Sequence, residues 1–126
     1  MKDAVLLFAH GARDPLWALP FRSLAQRVAA LRPDAQVQLA FLEFMTPTLI
    51  DAGHELAGAG CTRVQVVPVF LGTGGHVRRD LPELIESLRA QHPQVLWRLC
   101  SALGERDSVI DALAREAVRD INEAPI

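Results

Sequence analysis

Apolar residues fall along the chain in two alternating patterns. Short, nearly continuous runs at 4–9 (AVLLFA), 36–43 (QVQLAFLE), 63–71 (RVQVVPVFL) and 94–99 (QVLWRL) are separated by longer stretches in which apolar residues recur every three or four positions. A continuous run suits a strand covered on both faces, as in a parallel sheet, whereas the wider spacing puts one apolar stripe on a helix. The run at 63–71 is the most apolar and is expected centrally in the sheet.

Four helices are expected between and after the strands. The first carries Phe21, Leu24, Ala25, Val28 and Leu31, with Pro20 in its first turn and Pro33 closing it. The second opens with Thr46 as N-cap and Pro47 as first helical residue, presents Leu49, Ile50, Gly53, Leu56 and Ala57, and ends at the glycines of 58–60. The third starts from Asp80 as the cap of a variant capping box, Asp80-Leu81-Pro82-Glu83, and continues through Leu84, Ile85 and Leu88 to about Ala90, before His92-Pro93. The fourth spans 107–121 and is expected to be buried through Ile110, Leu113, Ala114, Ala117 and Ile121.

Strand and helix thus alternate four times. The stable packing of that pattern is an α/β fold: a single doubly wound parallel four-stranded sheet, in the order 2-1-3-4, with right-handed crossovers and helices on both faces. The 126 residues, half of them apolar, suffice for one core, so a single domain over 1–126 is expected.

Composition narrows the partners. A formal charge of -2 offers no positive lobe to attract a phosphate backbone, so no nucleic acid is expected. The apolar runs stop well short of the roughly 20 residues of a membrane helix, and no membrane association is expected. Lys2 followed at once by Asp3 is unlike an export signal, which points to a cytoplasmic protein. Cys61 and Cys100 lack the spacing of a redox or zinc site and read as small buried residues.

In a doubly wound sheet the ligand crevice lies outside the carboxyl ends of the strands, where loops gather and helix N-termini point. His10 ends the first strand, Glu43 the second, and His76 follows the glycine-rich loop after the third, each one βα unit from the last. Two imidazoles and a carboxylate suit Co, Ni, Fe or Zn better than Mg or Ca. Singly, each has a plain explanation: a locally bonded His, a Glu capping the next helix, a His tolerating an unusual loop backbone. Convergence on one edge favours the metal. His54 and His92 lack that convergence and are expected at the surface. Gly72-Thr73-Gly74-Gly75 offers an anion nest or a close approach for a flat ligand, but has neither the Lys-Ser/Thr of a P-loop nor the GxGxxG pattern. No nucleophile elbow surrounds any serine.

Three ordered motifs carry a resemblance. Phe8-Ala9-His10-Gly11-Ala12-Arg13-Asp14-Pro15, then Phe41-Leu42-Glu43 with Pro47, then Pro68-Val69-Phe70-Leu71 leading to His76-Val77 and Asp80-Leu81-Pro82, with Leu103-Gly104 after the fourth strand, resemble the CbiX-type sirohydrochlorin chelatases, small class II tetrapyrrole chelatases. The resemblance spans nearly the whole chain. It implies a chelatase-like fold and insertion of a divalent metal, Co2+ first and Fe2+ or Ni2+ as further candidates, into sirohydrochlorin or a related tetrapyrrole of cobalamin or siroheme biosynthesis. It implies no tightly bound cofactor, the metal being a substrate.

His10 and His76 correspond to the family's metal-binding histidines, and Glu43 to a glutamate ligand of related cobalt chelatases. In this reading the two histidines are also catalytic, since a neutral imidazole can accept a pyrrole proton as its metal bond breaks. Gly11, Ala12, Arg13, Gly74, Gly75, Arg78 and Arg79 flank the ligands and are assigned to the substrate, the arginines facing its carboxylates. Longer relatives carry two such lobes around a cleft, and the short form pairs as a homodimer. The family usually has Ser where this chain has Ala12. The competing readings are a non-catalytic metal or tetrapyrrole carrier of the same fold and a small nucleotide-binding module using the glycine nest.

Overall fold

The computed structural model describes residues 1–125; Ile126, the last residue of the expected 1–126 domain, lies outside the described residues. Strands β1 (Asp3–Ala9), β2 (Gln36–Phe41), β3 (Arg63–Pro68) and β4 (Leu96–Leu99) form one sheet in the order β2-β1-β3-β4, every pairing parallel. Leu6 lies beside Gln38 and Val66, and Phe8 beside Ala40 and Pro68. The order and the parallel sense are those the sequence pattern predicts.

Alternation along β1 divides the core. Ala4, Leu6 and Phe8 face one side with Val64 and Val66, where α2 (Leu49–Gly58) and α3 (Gly75–Gln91) cover them through Leu49, Leu56, Leu81, Ile85 and Leu88. Val5, Leu7 and Ala9 face the other side, against Phe21, Leu24 and Val28 of α1 (Leu19–Leu31). Both faces of β1 are therefore sealed, as its uninterrupted apolar run requires. Cys61 is buried and Cys100 half-buried, and neither is in a disulfide.

Three helix starts or faces differ from expectation. The cap of α2 is Thr48, not Thr46: its hydroxyl accepts the Asp51 amide at 3.2 Å. The reason is that Pro47 is tied back to the end of β2, its carbonyl accepting from the Phe41 amide at 2.9 Å, with Phe41 bridged to Thr48, so the chain turns into the helix only after Thr48. Helix α3 begins at Gly75 rather than after Asp80, so Pro82 sits inside it. Its ring is exposed, and what it removes is the amide that would have bonded to the carbonyl of Arg78. The turn of helix added ahead of Asp80 turns His76 from a loop residue into a helical one.

The largest departure concerns α4 (Asp107–Val118), which ends before Ile121 and buries none of its residues. Ile110, Leu113 and Ile121, expected in the core, are 47, 44 and 78% exposed, and Ala114 and Ala117 are exposed as well. The helix leans on the 3-10 turn Leu103–Glu105 instead of folding back onto the sheet. On the α1 side, β3 and β4 are correspondingly bare: Gln65 and Arg98 are exposed and Leu96 is 65% exposed. The apolar stripe of α4 is left uncovered, and it does not meet the exposed, largely polar β3–β4 face.

Candidate metal and substrate site

His10 directly follows β1 at the carboxyl edge. Its ring stacks on Phe70, with centroids 4.2 Å apart and an interplanar angle of 29°. Phe70 is itself buried and meets Phe8 edge-on at 5.8 Å. The core thus extends as an aromatic ladder into the site, setting the plane of an imidazole that is otherwise exposed.

Backbone bonds hold His10 and Glu43 together. The amides of Leu42 and Glu43 donate to the carbonyls of Ala9 and His10 at 2.9 and 3.0 Å, prolonging the β1–β2 pairing past the strand ends. Gly11 makes this approach possible. Its φ is +89°, and a Cβ there would sit 1.9 Å from the Glu43 carbonyl oxygen, so no other residue fits without displacing the strand end. Gly104 does the same across the sheet: its amide donates to the Phe70 carbonyl at 2.8 Å, and a Cβ would lie 2.1 Å from the Leu71 carbonyl oxygen.

His76 is the second residue of α3, exposed, with Nε2 3.0 Å from Oδ2 of Asp80 one turn on. A carboxylate at Nε2 favours the tautomer that donates there and leaves the Nδ1 lone pair free, the arrangement commonly found behind a metal-bound histidine. Asp80 was expected as a helix cap; its real contact is an i,i+4 pair, a spacing visible in the sequence once the helix is known to begin at Gly75.

All three expected ligands therefore belong to the carboxyl edge, but they do not form a closed cage. Among the described residues no three His, Cys, Asp or Glu side chains stand close enough to hold one ion. Of the expected substrate residues, Gly11 and Ala12 are half-buried beside His10, while Arg13 is exposed with its guanidinium carbon 4.8 Å from the Phe44 ring centroid. Gly74 caps α3 and Gly75 begins it; a side chain at Gly72, Gly74 or Gly75 would meet nothing, so neither local packing nor a positive φ requires glycine there. Arg78 donates to the Thr73 carbonyl at 3.0 Å and lines a concavity between the ends of β3 and β4 with Cys100, Ser101 and Glu105. Arg79 is exposed.

The other two histidines correct the expectation of isolated surface residues. His54 Nδ1 and His92 Nε2 are 2.6 Å apart, both rings are half-buried, and His92 lies beside Trp97, whose indole donates to the His92 carbonyl at 3.4 Å. The pair joins α2 to the turn after α3, away from the carboxyl-edge residues. Nothing in a one-dimensional pattern brings residues 38 positions apart together.

A four-stranded doubly wound lobe whose exposed histidines follow alternate strand ends has close counterparts among solved chelatase-type structures. A putative cobalamin (vitamin B12) biosynthesis CbiX protein from Marinobacter aquaeolei superposes with a TM-score of 0.83 at 29% identity, covering 98% of this chain and all of that one. The sirohydrochlorin chelatase SirB from Bacillus subtilis, in complex with cobalt, superposes with a TM-score of 0.82 at 26% identity, over 96% of this chain and 51% of its own. This chain thus spans about half of that longer protein. A sirohydrochlorin cobaltochelatase from Methanococcoides burtonii is 33% identical over 85 residues, 68% of this chain and 65% of that protein. The CbiX family profile matches residues 4–120, and the chain belongs to the CbiX family.

Proposed function

We propose that the chain is a cytoplasmic metal chelatase that inserts Co2+ into sirohydrochlorin, with Fe2+ and Ni2+ as further candidate metals. The observation that carries this reading is the pair of exposed imidazoles on one sheet edge, each oriented by a neighbour that is not itself a proposed ligand: Phe70 behind His10 and Asp80 behind His76. Glu43, zipped to His10 through its backbone, is the third ligand. Membership of the family and the names of the relatives agree with it.

In the reaction two pyrrole N–H bonds break, four metal–nitrogen bonds form and two protons leave. His10 or His76 accepts a proton as its own bond to the metal is lost. A cage of fixed ligands would oppose the transfer, since the ion must leave for the macrocycle, and a loose, incomplete set suits it. Gly11, Ala12, Gly74 and Gly75 let the ring approach the main chain, and Arg13, Arg78 and Arg79 face its carboxylates.

The reading includes a homodimer. Its support is the mismatch described above: an apolar stripe on α4 with nothing over it, and an uncovered β3–β4 face in the same chain. A second copy supplies the missing partner for both, and the half-length match to SirB fits two lobes around one cleft. Leu113→Asp should convert the dimer to a monomer by light scattering; a monomeric parent would remove this part of the proposal.

Metal insertion is tested by following the absorbance of sirohydrochlorin with Co2+. The parent should accelerate the spectral shift well beyond the uncatalysed rate, and His10→Ala and His76→Ala should each lower the rate at least about tenfold, as removal of a positioned acid-base group does. Binding without acceleration would mark a carrier instead, and unchanged rates in both variants would refute the assignment of the histidines.

A further inference from the structure

Among the described residues, Phe44 is the one large aromatic residue that the carboxyl edge places in the open. It is 58% exposed, follows Glu43 directly, and has a φ of +64°. A bulky side chain in that region is rare and strained, and glycine or asparagine would adopt the turn more easily. Burial is the usual compensation for a strained apolar residue, and more than half of this one remains in solvent. The fold therefore gives no reason for a phenyl ring here.

What the ring does contact is Arg13, whose guanidinium carbon lies 4.8 Å from its centroid. No carboxylate among the described residues stands within ion-pairing distance of Arg13, whereas Arg32 has two and Arg63, Arg89 and Arg119 have one each. A guanidinium stacked on an aromatic face keeps its N–H edge available for a carboxylate, and the stacking limits the rotamers it must give up on binding. An unpaired, pre-oriented cation beside an exposed ring, three residues from His10, is built to receive an acidic arm attached to something flat and apolar.

Building on the chelatase reading, we propose that Arg13 and Phe44 form a subsite for one peripheral carboxylate arm of the tetrapyrrole, with Phe44 as the positioning residue. Arg13 takes the carboxylate in a forked, charge-assisted pair. Phe44 holds the guanidinium in place and acts only through it. The subsite selects tetrapyrroles by their acidic periphery and contributes binding alone; it takes no part in proton or metal transfer.

The experiment uses the full chain and two probes, metal-free sirohydrochlorin and its methyl ester, with binding read by tetrapyrrole fluorescence and turnover by Co2+ insertion. Phe44→Gly suits the positive φ and should keep the parental melting temperature, yet raise Kd and KM for sirohydrochlorin about fivefold to tenfold with kcat within about twofold. Phe44→Trp should restore parental values, and Arg13→Ala should match Phe44→Gly. The ester should bind the parent more weakly and show no further loss on Phe44→Gly. Should the glycine variant melt early, Phe44→Leu, which keeps the bulk and loses the π face, decides in its place and should raise KM.

An unchanged KM in Phe44→Gly and Phe44→Leu, or a fall in kcat alone, overturns the subsite. A parent that binds sirohydrochlorin in a Phe44-dependent way but inserts no metal defeats the chelatase reading and leaves the subsite standing. A parent that inserts metal indifferently to Phe44 does the reverse.

Discussion

The two edges of the sheet are made from the same strands and treated oppositely. At the amino edge, Asp3 accepts from Arg63 at 2.7 Å and from Arg32 at 3.1 Å, Arg32 also holds Asp34 at 2.9 Å, and the Lys2 ammonium donates to the Ala59 carbonyl at 2.8 Å. Those charges find partners within the chain. At the carboxyl edge, His10 rests on a phenyl ring, Arg13 on another, and Leu16, Phe44 and Leu71 are exposed. One edge is closed by the protein's own ion pairs, and the other leaves apolar side chains and its Arg13 guanidinium open to solvent. Exposed pairs such as those of the amino edge add little stability each, so their value lies in closing that end.

The contrast can be broken most severely at Gly11. Gly11→Ala should cost roughly 2–4 kcal/mol of folding stability, through the clash with the Glu43 carbonyl and the positive φ, and detach the β2 end from His10. Chemical denaturation measures it, and a loss below about 0.5 kcal/mol would show that the edge adjusts freely.

A smaller effect should follow from Asp80→Asn. If Asp80 orients His76, metal insertion falls about tenfold while the melting temperature holds, the usual result of removing the carboxylate behind a ligating histidine. Equal activity would make the contact an ordinary helix-surface pair.

The amino edge should give the smallest effect, and only in acid. The Arg63 guanidinium is the main cause holding the Asp3 carboxyl below its ordinary value, and the one on Arg32 holds Asp34 down to about 2. Folded carboxylates with depressed values stabilise above the unfolded range, near 4, and lose that contribution as pH falls through the folded value. Melting temperature should therefore drop between about pH 4 and 2, and Asp3→Asn should flatten part of that drop without changing Co2+ insertion at pH 7. An unaltered acid profile would mean that the pairs hold in the crowded edge without affecting stability.

Much of this was legible in the chain. Continuous apolar runs announced a parallel sheet, and the placement of His10, Glu43 and His76 after successive strands announced a common edge. The misses have separate causes. Thr46 and Thr48 flank the same proline, and only the bond from Phe41 to Pro47 shows which one starts the helix. Pro82 looked like a first-turn residue because proline is common there, but a helix already under way tolerated it on an exposed face. Phe44 carried no signal, since a phenylalanine after a strand is ordinarily core.

Periodicity and turn chemistry are local properties, and by themselves they determined the strands, the two covered faces of β1 and the sheet edge at which the histidines emerge. Which surfaces meet is not local. The amphipathic stripe of α4 states that the helix wants a partner without saying where that partner is, and only the tertiary structure shows that its own sheet does not supply one. The same holds for Asp80 behind His76 and Arg13 over Phe44: residue type and spacing allow such contacts, but the three-dimensional path of the backbone decides whether they are made.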